Sequence, residues 1–171
     1  PQAGSDLRLI RTTGKPNPDG SWILSGSKMF CSGADHDMNP NILHCVLART
    51  EGAPEGAKGL SLFLCPAVLP GGARNNIPVT RVEKKMGLHA APTCQVNFDG
   101  ARAEIVGDPG EGLRRMFTMM NAMRIDVAIQ GVGLCQIALQ RSMAYAQSRI
   151  QGRSISTEAT STEAVAINQH G

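Results

Sequence analysis

Residues 93–112 read TCQVNFDGARAEIVGDPGEG, and within them the hydrophobic period of the chain changes. Cys94, Val96 and Phe98 alternate with Thr93, Gln95 and Asn97, the period of a strand covered on one face. Leu113, Met116, Phe117 and Met120 then fall at i, i+3, i+4 and i+7, the period of a helix face. Val127, Leu134 and Ala138 extend that stripe. DPGEG, between the two patterns, is turn chemistry. The spacing predicts a β-rich unit over 1–108 and a helical unit over 109–171.

Upstream of this switch the signals are all of strands. LRLIRTT (7–13) reads as a short strand that ends in the turn KPNPDG. SWILSG and SKMFCSG, joined through Gly26, read as a hairpin. NILHCVLAR and GLSLFLCP are continuously apolar, as in strands covered on both faces. TEGAPEGAK and PGGARNN are loops by composition. About eight short strands separated by turns argue for a small barrel or sandwich.

Downstream, an unbroken helix to Arg149 reaches about 60 Å at 1.5 Å per residue. That is too long for one helix on a small barrel, and the sequence supplies no other helices for it to pack against. Residues 155–171, ISTEATSTEAVAINQHG, are polar and predict a mobile loop. Residue 1 is a proline and the long helix lacks its bundle, so the expectation is of a chain cut at both ends.

Composition narrows the class. Hydrophobic residues make up 42% of the chain and charged residues 18%, too apolar for disorder. The net charge of +3 is spread without aromatic interleaving, which gives nucleic-acid binding little support. No apolar run was expected to reach membrane-spanning length. Five cysteines (Cys31, Cys45, Cys65, Cys94 and Cys135) sit singly in apolar segments. That pattern predicts buried free thiols in a reducing compartment, so the expected location is cytoplasmic.

Several residue groups carry candidate chemistry. PQAGSD (1–6) is a turn able to cradle an anion or a cofactor edge, or merely to turn. Phe30 and Ser32, alternating on one strand, offer an aromatic plane beside a hydroxyl, which suits a flat hydrogen-bonding ring; a half-buried hairpin with a core Phe fits as well. Asp35, His36 and Asp37 are adjacent in a loop and converge poorly on a metal. The carboxylates Glu83, Glu104, Glu111 and Asp126 lack the apolar setting that raises a general base's pKa. His44 and His89 read as structural. Asn121 and Arg124 share a helix face, either solvated or meeting a phosphate or amide. Arg149, Gln151 and Arg153 follow the helix and either grip an anion or end it.

Four of these stretches, in order, resemble the acyl-CoA dehydrogenase family. PQAGSD resembles the second half of its T-E-P-x-A-G-S-D stretch, and GSKMFCSG its G-x-K-x-W-I-T-N-G. KMGLHAAPTCQVNFDGARAEIVGDPGEG resembles M-G-x-R-x-S…F-x-x-V-x-V-P…G-x-x-x-x-G. MNAMRIDVAIQGVGLCQIALQRSMAYAQSRIQGRS resembles the family's long helix, D-x-x-R…Y-A-x-x-R-x-Q-F-G. KMFCSG, ADHD and HAAPTC resemble the branch containing the methylthiopropanoyl-CoA dehydrogenases.

The resemblance implies an α+β chain: a small antiparallel β-barrel domain, then a long α-helix from an incomplete helical bundle. It implies FAD as cofactor, an acyl-CoA substrate, an electron-transfer flavoprotein or similar acceptor, and a homo-oligomer. Pro1, Gln2, Ala3, Gly4 and Ser5 would line the flavin and acyl-CoA cleft, with Ser5 also near substrate. Phe30, Cys31 and Ser32 would lie against the flavin ring, Ser32 hydrogen-bonding it. Asn121 and Arg124 would face the CoA moiety, and Arg149 and Gln151 a neighbouring subunit's FAD. Phe30 stands at the family's tryptophan and Gly152 where F-G begins. The family's catalytic glutamate comes from a region beyond this chain, so no base is assigned here and the chain alone is expected to be inactive. An acyl-CoA oxidase or flavin monooxygenase on the same scaffold, or a non-catalytic β-barrel module, are the alternatives.

Overall fold

The computed structural model describes residues 3–152 and 164–169. Six strands precede one long helix: β1 (Thr13–Pro16), β2 (Trp22–Ser32), β3 (Leu43–Thr50), β4 (Leu60–Pro66), β5 (Val79–Val82), β6 (Thr93–Val106) and α1 (Gly112–Ser148). The sheet runs β2-β1-β3-β4-β6-β5, and β2 also pairs with β6. Strands β2, β1, β3, β4 and β6 therefore close a ring, with β5 paired along the Cys94–Val96 stretch of β6. Five strands cannot alternate direction all the way round a ring, so one neighbouring pair must be parallel. That pair is β1 and β3, through Thr13–Arg49 and Gly14–Thr50. The other ladders are antiparallel, so the barrel is mixed rather than wholly antiparallel.

The barrel is filled by one cluster that includes Leu24, Val46, Phe63, Cys65, Cys94, Val96 and Phe98. Trp22 packs against Phe63 with ring centroids 5.3 Å apart, within the favourable range for aromatic pairs. A second cluster of Ile10, Leu47, Leu60 and Leu62 receives Leu113 and Met116 from the first turns of α1. Two features seat that end of the helix. The Gly110 amide donates to Ser61 Oγ at 2.9 Å, and the Gly112 backbone lies so close to Ser61 that any Cβ there would overlap it.

Three local readings are corrected. SWILSG and SKMFCSG form one strand, β2, instead of a hairpin. Gly26 lies within the strand at φ 138°, a conformation that favours glycine, and a Cβ there would sit 2.8 Å from Thr12 Cα; the glycine permits a close backbone approach, which sequence cannot distinguish from a turn. LRLIRTT is not a strand, because the Asp6 carboxylate accepts from the Arg8 amide at 3.1 Å and from its guanidinium at 2.8 Å. That local bonding winds Leu7–Leu9 into a 3-10 turn. The merged strands also lower the count from about eight to six.

The chain divides into compact units at Met120 and Asn121. In the second unit the helix is exposed on all sides, with Ile125, Val127, Ile129, Val132, Leu134 and Leu139 all open to solvent. A helix that is apolar all round is one built to be enclosed. One 18-residue window has mean hydropathy 1.3, enough by length and composition alone to cross a bilayer, a run the sequence reading did not register. The expected loop over 155–171 falls largely outside the described residues; within them, Ile150 pairs with Ala166, and Ile167–Gln169 form a 3-10 turn.

Candidate flavin-facing cleft

A β-bulge shapes the site. Lys28 pairs with Val96 and Cys31 with Cys94, so two residues of β2, Met29 and Phe30, stand opposite the single residue Gln95. Such an extra residue bends a strand and re-aims its side chains. Phe30 takes φ 58°, a left-handed conformation that costs a non-glycine residue about 1–3 kcal/mol. The residue is 65% exposed, so little local packing offsets that strain. The backbone is held in an unfavourable state to place an aromatic ring on the surface.

That ring borders a cleft of about 810 Å³, lined also by Ala3, Gly4, Ser5, Leu7, Leu9, Thr12, Lys28, Met29 and Gln95. The cleft is also lined by the turn in which the Asp6 amide donates to the Ala3 carbonyl at 2.9 Å, with Gly4 at φ 50°. Two stretches 25 residues apart in sequence thus come together on one cleft. The volume and the mainly apolar lining suit a flat ring system with a few polar contacts. Pro1 and Gln2 lie outside the described residues.

The bulge sorts the three β2 candidates differently. Ser32 pairs with Thr93 and is exposed, on the same side of β2 as Phe30 although not part of the cleft wall. Cys31 turns inward and packs against the barrel core; toward the outer face it presents only backbone. Lys28 was not among the expected site residues. It too points inward, and its Nζ donates to the Leu47 carbonyl at 2.8 Å. Burial drives its ammonium down to about 8. The available signal was a lysine at an inward position of an alternating strand.

The helical candidates form local pairs. Arg124 donates to Asn121 Oδ1 at 3.2 Å and Arg149 Nε to Gln151 Oε1 at 3.4 Å. Arg149 and Gln151 are further held by backbone bonds: the Ile167 amide donates to the Arg149 carbonyl at 3.0 Å and the Gln151 amide to the Val165 carbonyl at 3.0 Å. Among the carboxylates, Glu111 precedes α1 and is gripped by Arg115 at 2.8 Å and Arg114 at 3.2 Å. The Arg115 hydrogen bond is the main reason its carboxyl lies below the ordinary range, which unfits it as a base at neutral pH. Glu83 is half-buried, with one oxygen 3.2 Å from Arg81 and the other buried without a hydrogen-bond partner.

A second cavity of about 400 Å³ lies at Asp35, His44, Arg74, Asn75 and Val79. Asn75 is already committed there, bonding Pro66 and Arg102 carbonyls at 2.8 Å each and accepting from the Arg102 amide at 2.9 Å. His44 meets Phe98 edge-on at 6.2 Å, and burial lowers its imidazole pKa. Of the cysteines, Cys65 and Cys94 are buried as expected, whereas Cys45 and Cys135 are exposed.

The fold is thus a small closed β-barrel with an outward aromatic beside a wide cleft, followed in the chain by an apolar helix. The family model described as the acyl-CoA dehydrogenase middle domain matches residues 1–101. The chain is 43% identical to the 3-methylmercaptopropionyl-CoA dehydrogenase of Ruegeria pomeroyi, over 99% of this chain and 29% of that protein. It is 37% identical to the broad-specificity linear acyl-CoA dehydrogenase FadE5 of Mycobacterium tuberculosis, over 99% of this chain and 30% of that protein. The structure of Caenorhabditis elegans ACDH-11 in complex with C11-CoA superposes with a TM-score of 0.78 at 31% identity, covering 88% of this chain and 25% of that one. This chain belongs to the acyl-CoA dehydrogenase family, a family of oxidoreductases. It spans about three-tenths of the length of the curated relatives named here.

Proposed function

We propose that this chain is the flavin-facing β-barrel, with the first helix of the helical region, of an FAD-dependent acyl-CoA dehydrogenase. The observation that carries the reading is Phe30, strained at φ 58° and 65% exposed on the rim of the 810 Å³ cleft. A strained, unpacked aromatic on a cleft suits a planar ring that stacks on it. When bound, FAD supplies the hydride acceptor for α,β-dehydrogenation. The residues of this chain orient the reactants: Phe30 stacks, Ser32 bonds the ring edge, and the Ala3–Ser5 turn lines the cleft toward the acyl thioester. Asn121 and Arg124 meet the CoA moiety, and Arg149 and Gln151 meet the FAD of a neighbouring subunit.

The 43% identity to the Ruegeria protein supports a short, sulfur-containing acyl chain as substrate class. The same reading gives an electron-transfer flavoprotein or similar acceptor, a homo-oligomer and a cytoplasmic location. The apolar circumference of α1 supports enclosure by other helices of the same protein. No residue of this chain is assigned as the proton-abstracting base.

The test is an assay of the native-length protein with FAD, a one-electron dye acceptor and a panel of acyl-CoA thioesters that includes 3-methylthiopropanoyl-CoA. Turnover with the dye and slow reaction with oxygen is the expected result. Oxygen as the faster acceptor points to the oxidase alternative. A colourless protein with no turnover overturns the reading.

A further inference from the structure

Two of the five thiols face each other across one ladder. Cys31 of β2 is the register partner of Cys94 of β6, next to the bulge. The Thr93 carbonyl accepts from the Glu83 amide at 2.7 Å and so faces β5. Cys94, one residue on, therefore presents its backbone to β2, which makes Cys31 and Cys94 a hydrogen-bonded pair. Such pairs have Cα atoms ~5.5 Å apart, at the centre of the disulfide range. Both side chains lie on the inner face, in or against the same core cluster.

We propose that Cys31 and Cys94 are a redox-sensitive dithiol that closes reversibly into a cross-strand disulfide behind the bulge. Nothing in this inference depends on the flavin reading. Cys31 is half-buried, so a small oxidant reaches it first, while Cys94 is fully covered and acts as the resolving thiol. With hydrogen peroxide the step balances as follows. The Cys31 thiolate attacks a peroxide oxygen, breaking the O–O bond to give a sulfenic acid and, with the thiol proton, one water. The Cys94 sulfur attacks the sulfenic sulfur, forming S–S and expelling the second water. Two thiols lose two electrons in all and the peroxide gains them. Burial raises the Cys31 thiol above its ordinary value, and the nearby Lys28 ammonium pulls it part of the way back.

Cys65 is the natural rival partner, since it lies in the same cluster. Its Sγ meets the Arg102 carbonyl at 3.2 Å and receives Asn75 at 3.6 Å, as the Cys94 thiol meets the Ala34 and Asp35 amides, so the register decides between them. The register partner of Cys65 is His44, not a cysteine. The ladder therefore selects Cys94.

The experiment treats the folded protein with a few equivalents of hydrogen peroxide. Remaining thiols are blocked with N-ethylmaleimide in denaturant, and an unreduced digest is read by mass spectrometry. The expected result is a peptide pair joined through Cys31 and Cys94, lost on treatment of the folded protein with dithiothreitol. In Cys94→Ser, Cys31 is expected to give a dimedone adduct with no crosslink. If that variant does not fold, Cys31→Ile leaves Cys94 fully alkylatable instead. Recovery of Cys31 and Cys94 as free thiols while Cys45 and Cys135 oxidise overturns the proposal. So does a Cys31–Cys65 link, or a crosslink that dithiothreitol cannot open.

Discussion

Lys28 and Phe30 are two residues apart on β2 and leave it in opposite directions: the Lys28 Nζ reaches 2.8 Å from the Leu47 carbonyl inside the barrel, while the Phe30 ring stands in solvent. In a regular strand these two would share a face. The bulge opposite Gln95 separates them. It gives the barrel an internal tie and its outer surface an aromatic ledge at the same point.

Lys28 makes stability depend on pH in a defined sense. Burial lowers its ammonium from 10.5 to about 8 in the fold, so between these values the unfolded chain binds more protons. Stability from this group is lost below pH 8 and rises as pH climbs toward 10.5. The buried thiols, whose values are raised by burial, act in the opposite direction. The difference between parent and Lys28→Met isolates the lysine. Urea midpoints should favour the parent progressively more from pH 7.5 to pH 9.5; a difference that stays flat contradicts the assignment.

Strain at Phe30 is testable without any ligand. Phe30→Gly removes a left-handed non-glycine residue and an exposed ring that packs on little. Urea unfolding should show a gain of about 1 kcal/mol, at the low end of the usual cost of such strain. A loss of stability would mean that the ring is packed in solution.

Gly112 seats α1 against Ser61. Gly112→Ala forces the helix start away from β4, with a loss of about 1–3 kcal/mol, as for overpacking in a core. Gly131→Ala, whose added methyl meets nothing, should leave stability unchanged or slightly raised. Equal effects from the two substitutions would contradict the seating.

Ser32→Ala removes one hydrogen bond to the bound flavin on the proposed reading. FAD affinity should fall by on the order of 1 kcal/mol, about five-fold. An unaltered isotherm and an unaltered flavin spectrum would place the ring elsewhere.

The change of period at 93–113 made strand β6 and helix α1 legible, because alternation in β6 and the i, i+3, i+4 stripe after Leu113 are local patterns. Closure of the barrel was not local: the parallel β1–β3 pair follows from having five strands in a ring, which no window of sequence contains. Gly26 misled for a related reason, since close approach to Thr12 demands the same residue as a turn. At the site, the Ala3–Ser5 turn and Phe30 were read through the family motifs and meet on one cleft. Lys28 was missed, because a bulge of one residue reverses inside and outside without leaving a mark in composition; Cys31 lies opposite Phe30 and Ser32 by plain alternation, and only the family motif put it against the flavin.

The most direct test of the central claim is hydrogen–deuterium exchange of the protein with and without FAD. The account predicts slower exchange in peptides covering residues 3–9 and 26–30, which line the cleft, with residues 60–66 unchanged. Protection confined to residues 34–44 and 74–79, around the second cavity, would contradict it.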